Sequence, residues 1–285
     1  MTPPEVLAHR PIGSVPDSPG WAVRVVPNKY PALELAGDLA TEGKGLFTRM
    51  NGVGAHEVII ETPDHGKTLG SMSIDEITQV LTAIRERVLA LKQDRRLRFV
   101  LVFKNHGGAA GASLEHPHSQ LIALPVVPDL VREELDGAKR HFAATRRCVF
   151  CDVIREELAA GTRVIQANAE VVALAPYAAR FPFETWLLPR HHAARFEEAS
   201  PAECESFARV LQSVVTRLER ALDSPAYNFI LHSAPFADAE ASPYHWHAEI
   251  LPKISRAAGF EWGAGFYINP VAPEEAARIL REVVS

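Results

Sequence analysis

The sequence predicts an α+β protein made of two tandem copies of one strand–helix–strand unit, spanning residues 1–140 and 141–285. Three observations carry that expectation. His65 stands 51 residues before His116, and His192 stands 53 before His245. Between the members of each pair lies a capping box, Ser73-Ile-Asp-Glu76 and Ser200-Pro-Ala-Glu203, each opening an amphipathic helix. Each later histidine begins a matching run, His116-Pro-His-Ser-Gln120 and His245-Trp-His-Ala-Glu249. A duplicated unit explains these spacings better than chance does.

The elements follow in chain order. Residues 1–20 are rich in proline and polar residues, lack periodicity and read as irregular. Trp21–Tyr30 reads as a strand broken by Pro27, with Trp21, Val23 and Val25 on one face. His56–Glu61 is a short strand leading to Thr62-Pro-Asp-His65. Ile74, Ile77, Leu81, Ile84, Val88 and Leu91 trace one helical face, and they are core rather than a cofactor box. The apolar run Leu97–Phe103 reads as a buried strand, and Leu121–Leu124 as a second one. A charged helix is expected over Asp129–Arg147. The second half repeats the plan with strands at Phe183–Leu188 and Tyr227–Leu231, and a helical face of Phe207, Leu211, Val214, Leu218 and Leu222. A Gly-rich aromatic segment, Gly259–Pro270, and a helix over Pro273–Arg281 close the chain.

Bulk properties bound the function. At 285 residues the chain can bury a sizeable core, and 47% hydrophobic with 23% charged residues describes a soluble globular protein. A net charge of −5 without a basic run argues against nucleic-acid binding. No apolar stretch is long enough to cross a membrane, and no signal-peptide pattern opens the sequence. Three cysteines, two of them in Cys148-Val-Phe-Cys151, suit a metal or redox role in a reducing compartment, so the cytoplasm is expected.

Chemistry concentrates between Phe103 and Gln120. In the loop, Gly107, Gly108 and Gly111 let the backbone approach a ligand, and free N–H groups there would form a concavity suited to phosphate. If His116–Gln120 is extended, His116, His118 and Gln120 share one face. A neutral imidazole beside a phosphate cradle is a competent nucleophile toward phosphorus.

This run resembles the histidine-triad superfamily, specifically its nucleotidyltransferase branch of galactose-1-phosphate uridylyltransferases and ADP-glucose phosphorylases. That branch has His-Pro-His-x-Gln where the hydrolases have a third histidine. The resemblance extends from Thr2 onward and includes Phe181-Pro-Phe-Glu-Thr185. It implies two tandem histidine-triad-like units, each a mostly antiparallel sheet with flanking helices. Asn105, Gly111 and Ser113 match the positions that hold the α- and β-phosphates, and Asn28, Lys29 and Tyr30 those near base and ribose. The implied reaction is a ping-pong nucleotidyl transfer. His118 attacks the α-phosphorus of a nucleoside diphosphate sugar, and the nucleotidyl group then passes to a sugar 1-phosphate or to phosphate. The carbonyl of His116 is expected to hold the His118 tautomer, and Gln120 to stabilise the phosphoryl oxygens. The resemblance also implies a homodimer, with Gly259–Pro270 contacting the sugar. Tyr267 replaces the glutamate of galactose-handling members, which weakens the case for galactose.

Metal chemistry is expected in the second half. Cys148, Cys151, His192 and His245 supply two thiolates and two imidazoles, a set suited to structural zinc. His191 competes with His192 on sequence, and the resemblance favours His192. In the first half, family members add a Cys-x-x-Cys pair to histidines matching His65 and His116. The sequence has no such pair there, so no zinc, or a weakly held one, is expected. Glu134 matches a carboxylate that some uridylyltransferases use on a second metal, although a solvated glutamate is the ordinary reading. Glu249 replaces Gln120 in the second run and would repel a phosphoryl group, so one catalytic centre is expected.

Overall fold

The computed structural model describes residues 3–236 and 243–283. Thr2, where the family resemblance begins, lies outside the described residues. Strands β1 (Leu7–His9), β2 (Val23–Pro27), β3 (Glu42–Lys44), β4 (Phe47–Arg49) and β5 (Ala55–Ile60) precede helix α1 (Ile74–Leu91). Strands β6 (Phe99–His106) and β7 (His118–Leu124) follow, and helices α2 (Asp129–Thr145) and α3 (Val149–Ala160) lead into the second half. There β8 (Val164–Ala167), β9 (Val171–Leu174) and β10 (Thr185–Pro189) precede α4 (Pro201–Ala221), β11 (Tyr227–His232) and β12 (His247–Pro252). Helices α5 (Gly259–Ala264) and α6 (Pro273–Glu282) end the described chain.

Ten strands form one sheet in the order β1-β2-β5-β7-β6-β11-β12-β10-β9-β8. Their pairings are antiparallel. The order mirrors itself about the β6–β11 seam, where Phe103 pairs with Ile230 and Tyr227 with His106. The duplication read in the histidine spacing is thus a duplication of topology, and the two units share a continuous sheet.

Both capping boxes form as expected. The Ser73 and Ser200 hydroxyls accept from the N–H of Glu76 and Glu203, whose carboxylates accept the serine N–H groups in return. Each such cap contributes about 1 kcal/mol. Ile77, Leu81, Ile84 and Val88 of α1, with Phe207, Leu211, Val214 and Leu218 of α4, are buried in one core against the sheet. Alternation along β9 separates the two faces: Val171 and Ala173 belong to that core. Val172 and Leu174 belong to a second core with Val131 and Leu135 of α2 and Phe150 and Ile154 of α3.

Two sequence expectations need correction. The strand expected from Trp21 starts at Val23, and Val26 is buried besides Val23 and Val25. Regular pairing of the active-site strand begins at His118, directly after Pro117, which has no N–H for a ladder. The short strands at the sheet edges and helix α3 carried no periodic signal long enough to read.

Candidate active site and metal centre

His118 and Gln120 leave β7 on the face of the sheet opposite Ser119. His116 precedes the strand, which starts at His118. The ring of His116 turns to the carbonyl of Thr62 (Nε2 to O, 2.7 Å) and to His65 (Nδ1 to Nδ1, 3.2 Å). Its carbonyl does what was expected of it: His118 Nδ1 lies 2.8 Å from the His116 oxygen. A carbonyl only accepts, so Nδ1 carries the proton and Nε2 keeps its lone pair. His118 retains 6% of its surface, so the ring is held on most sides.

The strand is anchored from behind. Lys104 Nζ donates to the His118 carbonyl at 3.1 Å and to Glu61 Oε2 at 2.7 Å. The Ser119 hydroxyl donates to Glu61 Oε1 at 2.6 Å. Lys104 and Glu61 are almost fully buried, and each compensates the other's charge. Sequence reasoning missed this pair, although a lysine directly after the apolar run that ends at Phe103 is the signal that would have found it.

The loop also differs from expectation. Gly107 and Gly111 do adopt positive φ values of 79° and 88°. The N–H groups of Ala110, Gly111 and Ala112 bind the carbonyls of Gly107 and Gly108, so these three are not free for a phosphate. What faces outward is side-chain chemistry. Asn228 of β11 donates to Asn105 Oδ1 at 2.8 Å and to the Ala110 carbonyl at 2.9 Å. Asn105 Oδ1 is thereby occupied, and its amide N–H groups are left for another acceptor. Ser113 is exposed beyond Gly111. Asn28 accepts the Tyr30 N–H through Oδ1 at 2.9 Å, a short Asx turn, while Lys29 and Tyr30 are exposed. His56, read from the sequence only as the start of a strand, stands between Asn28 and Gln120.

The second half repeats the geometry in a closed form. His247 Nδ1 lies 3.0 Å from the His245 carbonyl, as His118 does from His116. Yet His247 is fully buried, with Phe150, Trp186 and His232 at ring distances of 4.9, 5.4 and 4.7 Å. Glu249 is paired with Arg180 and His232. Burial pushes the Glu249 carboxyl up, but His232 and Arg180 outweigh it and hold it down to about 2. A buried anion and an enclosed ring thus stand where the first half has an amide and a ring with some exposure.

Among the described residues, two clusters could bind metal. Ligand atoms of Cys148, Cys151, His192 and His245 all lie within 4.8 Å of one another. Cys151 Sγ is 3.5 Å from His192 Nδ1 and 3.6 Å from His245 Nδ1. Tetrahedral zinc with ordinary Zn–S and Zn–N lengths separates such atoms by about 3.6 Å. His245 Nε2 meets the Pro189 carbonyl at 2.9 Å, which leaves Nδ1 unprotonated toward the thiols. The Cys148 thiol is pushed down to about 3, chiefly by its hydrogen bond with Cys151, whose own pKa is raised. His191 instead pairs with Glu203 at 2.7 Å, while His192 lies with the two cysteines and His245. The second cluster is Glu134, His232 and His247, so Glu134 is no ordinary solvated glutamate.

The mirrored antiparallel sheet thus carries two histidine runs, one beside an amide and one enclosed by aromatics and a carboxylate. The models of the galactose-1-phosphate uridyl transferase N-terminal and C-terminal domains match residues 19–128 and 134–278. The chain belongs to that family. It is 37% identical over 276 residues to ADP-glucose phosphorylase of Arabidopsis thaliana, covering 94% of this chain and 77% of the relative. It is 32% identical over 264 residues to galactose-1-phosphate uridylyltransferase of Thermotoga maritima, covering 90% and 82%. A solved structure of the Arabidopsis thaliana ADP-glucose phosphorylase with bound ADP-glucose superposes with a TM-score of 0.87 at 33% identity, covering 100% of this chain and 88% of that one. A uridylyltransferase structure gives 0.85 at 28% identity, covering 99% and 93%. Among the described residues no helix is long and apolar enough to cross a membrane.

Proposed function

We propose that the enzyme moves a nucleoside monophosphate from a nucleoside diphosphate sugar to a sugar 1-phosphate through a covalent adduct on His118. The observation that carries this reading is the hydrogen bond from His118 Nδ1 to the His116 carbonyl, which leaves Nε2 as the nucleophile. Nε2 bonds to the α-phosphorus, the bond from that phosphorus to the bridging oxygen breaks, and sugar 1-phosphate leaves with the electron pair. A phosphate oxygen of the acceptor then attacks the same phosphorus and displaces Nε2. Gln120 and Asn105 donate to the phosphoryl oxygens, with Gly111 and Ser113 flanking the phosphates. Asn28, Lys29 and Tyr30 take the nucleoside.

The unit spanning residues 1–140 holds the reaction, and the unit spanning 141–285 holds a structural zinc on Cys148, Cys151, His192 and His245. Such a zinc would tie the start of α3 to the ends of β10 and β12 and add directly to folding stability. Free thiols at a zinc site suit the cytoplasm. Phe260, Trp262, Phe266 and Ile268 are exposed, in keeping with a homodimer in which this segment meets the partner's sugar.

A second reading changes only the acceptor, from sugar 1-phosphate to inorganic phosphate. Tyr267, in place of the glutamate of galactose-handling members, and the likeness to an ADP-glucose phosphorylase favour it. Intact-mass spectrometry after brief incubation with UDP-glucose, UDP-galactose or ADP-glucose tests the shared chemistry. A gain of one nucleoside monophosphate supports it and identifies the base. No gain with any donor rejects it. Chasing the adduct with phosphate or glucose 1-phosphate then separates the two acceptors.

A further inference from the structure

The ring of His56, on β5, has hydrogen-bond geometry that allows only one neutral tautomer. The backbone N–H of Ala32 donates to its Nδ1 at 3.2 Å, so Nδ1 must carry a lone pair. A neutral imidazole then bears its proton on Nε2, which lies 2.9 Å from Gln120 Oε1. Asn28 Nδ2 also stands 3.1 Å from this Nε2, but two N–H groups cannot bond each other. Asn28 is held in its orientation by the Tyr30 N–H on its Oδ1, so the proton on Nε2 goes to Gln120.

We infer that His56 is a positioning residue that fixes which end of the Gln120 amide faces the phosphoryl group. With Oε1 bound to His56, the Gln120 amino group is the end left free, and it shares the His118 face of β7. A glutamine turned the other way would present an oxygen to an anion, reversing a favourable contact into a repulsive one. His56 touches no reacting atom in this assignment. It carries order from the turn at Asn28–Ala32, where the nucleoside binds, to the amide that meets the transferring phosphorus. The assignment rests on the proposed adduct at His118, and its test separates the two.

The experiment compares rates of adduct formation, read by rapid-quench intact-mass spectrometry with ADP-glucose or UDP-glucose, whichever loads the wild type. His56→Asn cannot reach Gln120 with its shorter amide, His56→Leu has no donor, and His56→Gln brings an amide N–H to the Nε2 position. Asn and Leu are expected to slow loading about tenfold or more, since a misaligned donor forfeits much of its effect. Gln should restore it to within about threefold. Donor affinity, measured in the His118→Ala background, should move by less than about threefold. In a Gln120→Ala background, His56→Asn should cost nothing more, because it acts through Gln120. Wild-type loading by both His56→Asn and His56→Leu would overturn the assignment, as would an undiminished effect of His56→Asn without Gln120. Equal losses in Asn, Leu and Gln variants would count as a packing effect and overturn it too. A wild type that takes no adduct from either donor overturns the reading beneath it.

Discussion

His118 and His247 occupy the same place in the repeat, each with Nδ1 bonded to the carbonyl two residues before it, at 2.8 and 3.0 Å. Only their surroundings differ. One ring is backed by a buried ion pair and stands beside an amide, and the other is enclosed by aromatics and a carboxylate. His118→Ala should therefore lower turnover by about 10⁴-fold or more, since it removes the proposed nucleophile. His247→Ala should leave adduct formation measurable and lower the melting temperature instead. Adduct mass and a thermal melt on both variants check this.

Removing the zinc donors should act on stability. Cys148→Ala should reduce bound zinc from about one per chain to none and lower the melting temperature. Chelation of the wild type should reproduce that loss, and chelation of the variant should add nothing. Elemental analysis paired with calorimetry reads both, and a variant that kept its zinc would contradict the ligand set.

Lys104 and Glu61 hold the reactive strand through a pair whose side chains are 3% and 1% exposed. Lys104→Met alone should destabilise by about 3–5 kcal/mol, because it strands a buried carboxylate. Adding Glu61→Leu should recover a large part of that loss while leaving the Ser119 hydroxyl without its acceptor. Urea titration of the four proteins in the cycle gives the coupling.

The closed histidine run should give the metal-free protein an alkaline limit. Burial pushes the His232 pKa down, but Glu134 and Glu249 outweigh it and raise it to about 10 from an ordinary 6.5. A group with a raised folded-state pKa stabilises fully below its unfolded value and loses that contribution as pH rises toward the folded one. Stability of the chelated enzyme should thus decline between about pH 6.5 and 10. His232→Gln should flatten that decline, as thermal melts across the range would show. Glu249, held down to about 2, has the opposite sign: its contribution is present above an ordinary 4.5 and disappears toward pH 2.

Much of this was legible in the sequence for identifiable reasons. Ser73 and Ser200 announce helix starts because their capping boxes are local. Cys148, Cys151, His192 and His245 announce a metal set because few other arrangements use those residue types together. His56 was invisible because its partner Gln120 is 64 residues away and becomes a neighbour only through strand pairing. Arg180 was likewise hidden, since its role depends on Glu249 across the fold. At Ala110–Ala112 the glycine pattern located the loop, but its internal turn, which uses three of the N–H groups, could not be read from spacing.

The seam between Phe99–His106 and Tyr227–His232 has a cost for anyone who would divide the molecule. Severing the chain between its halves would bare the edges of β6 and β11, each a template for a foreign strand. Either fragment alone should precipitate, or pair with itself through the exposed edge. The second copy thus covers a strand edge of the first that would otherwise lie open to other chains.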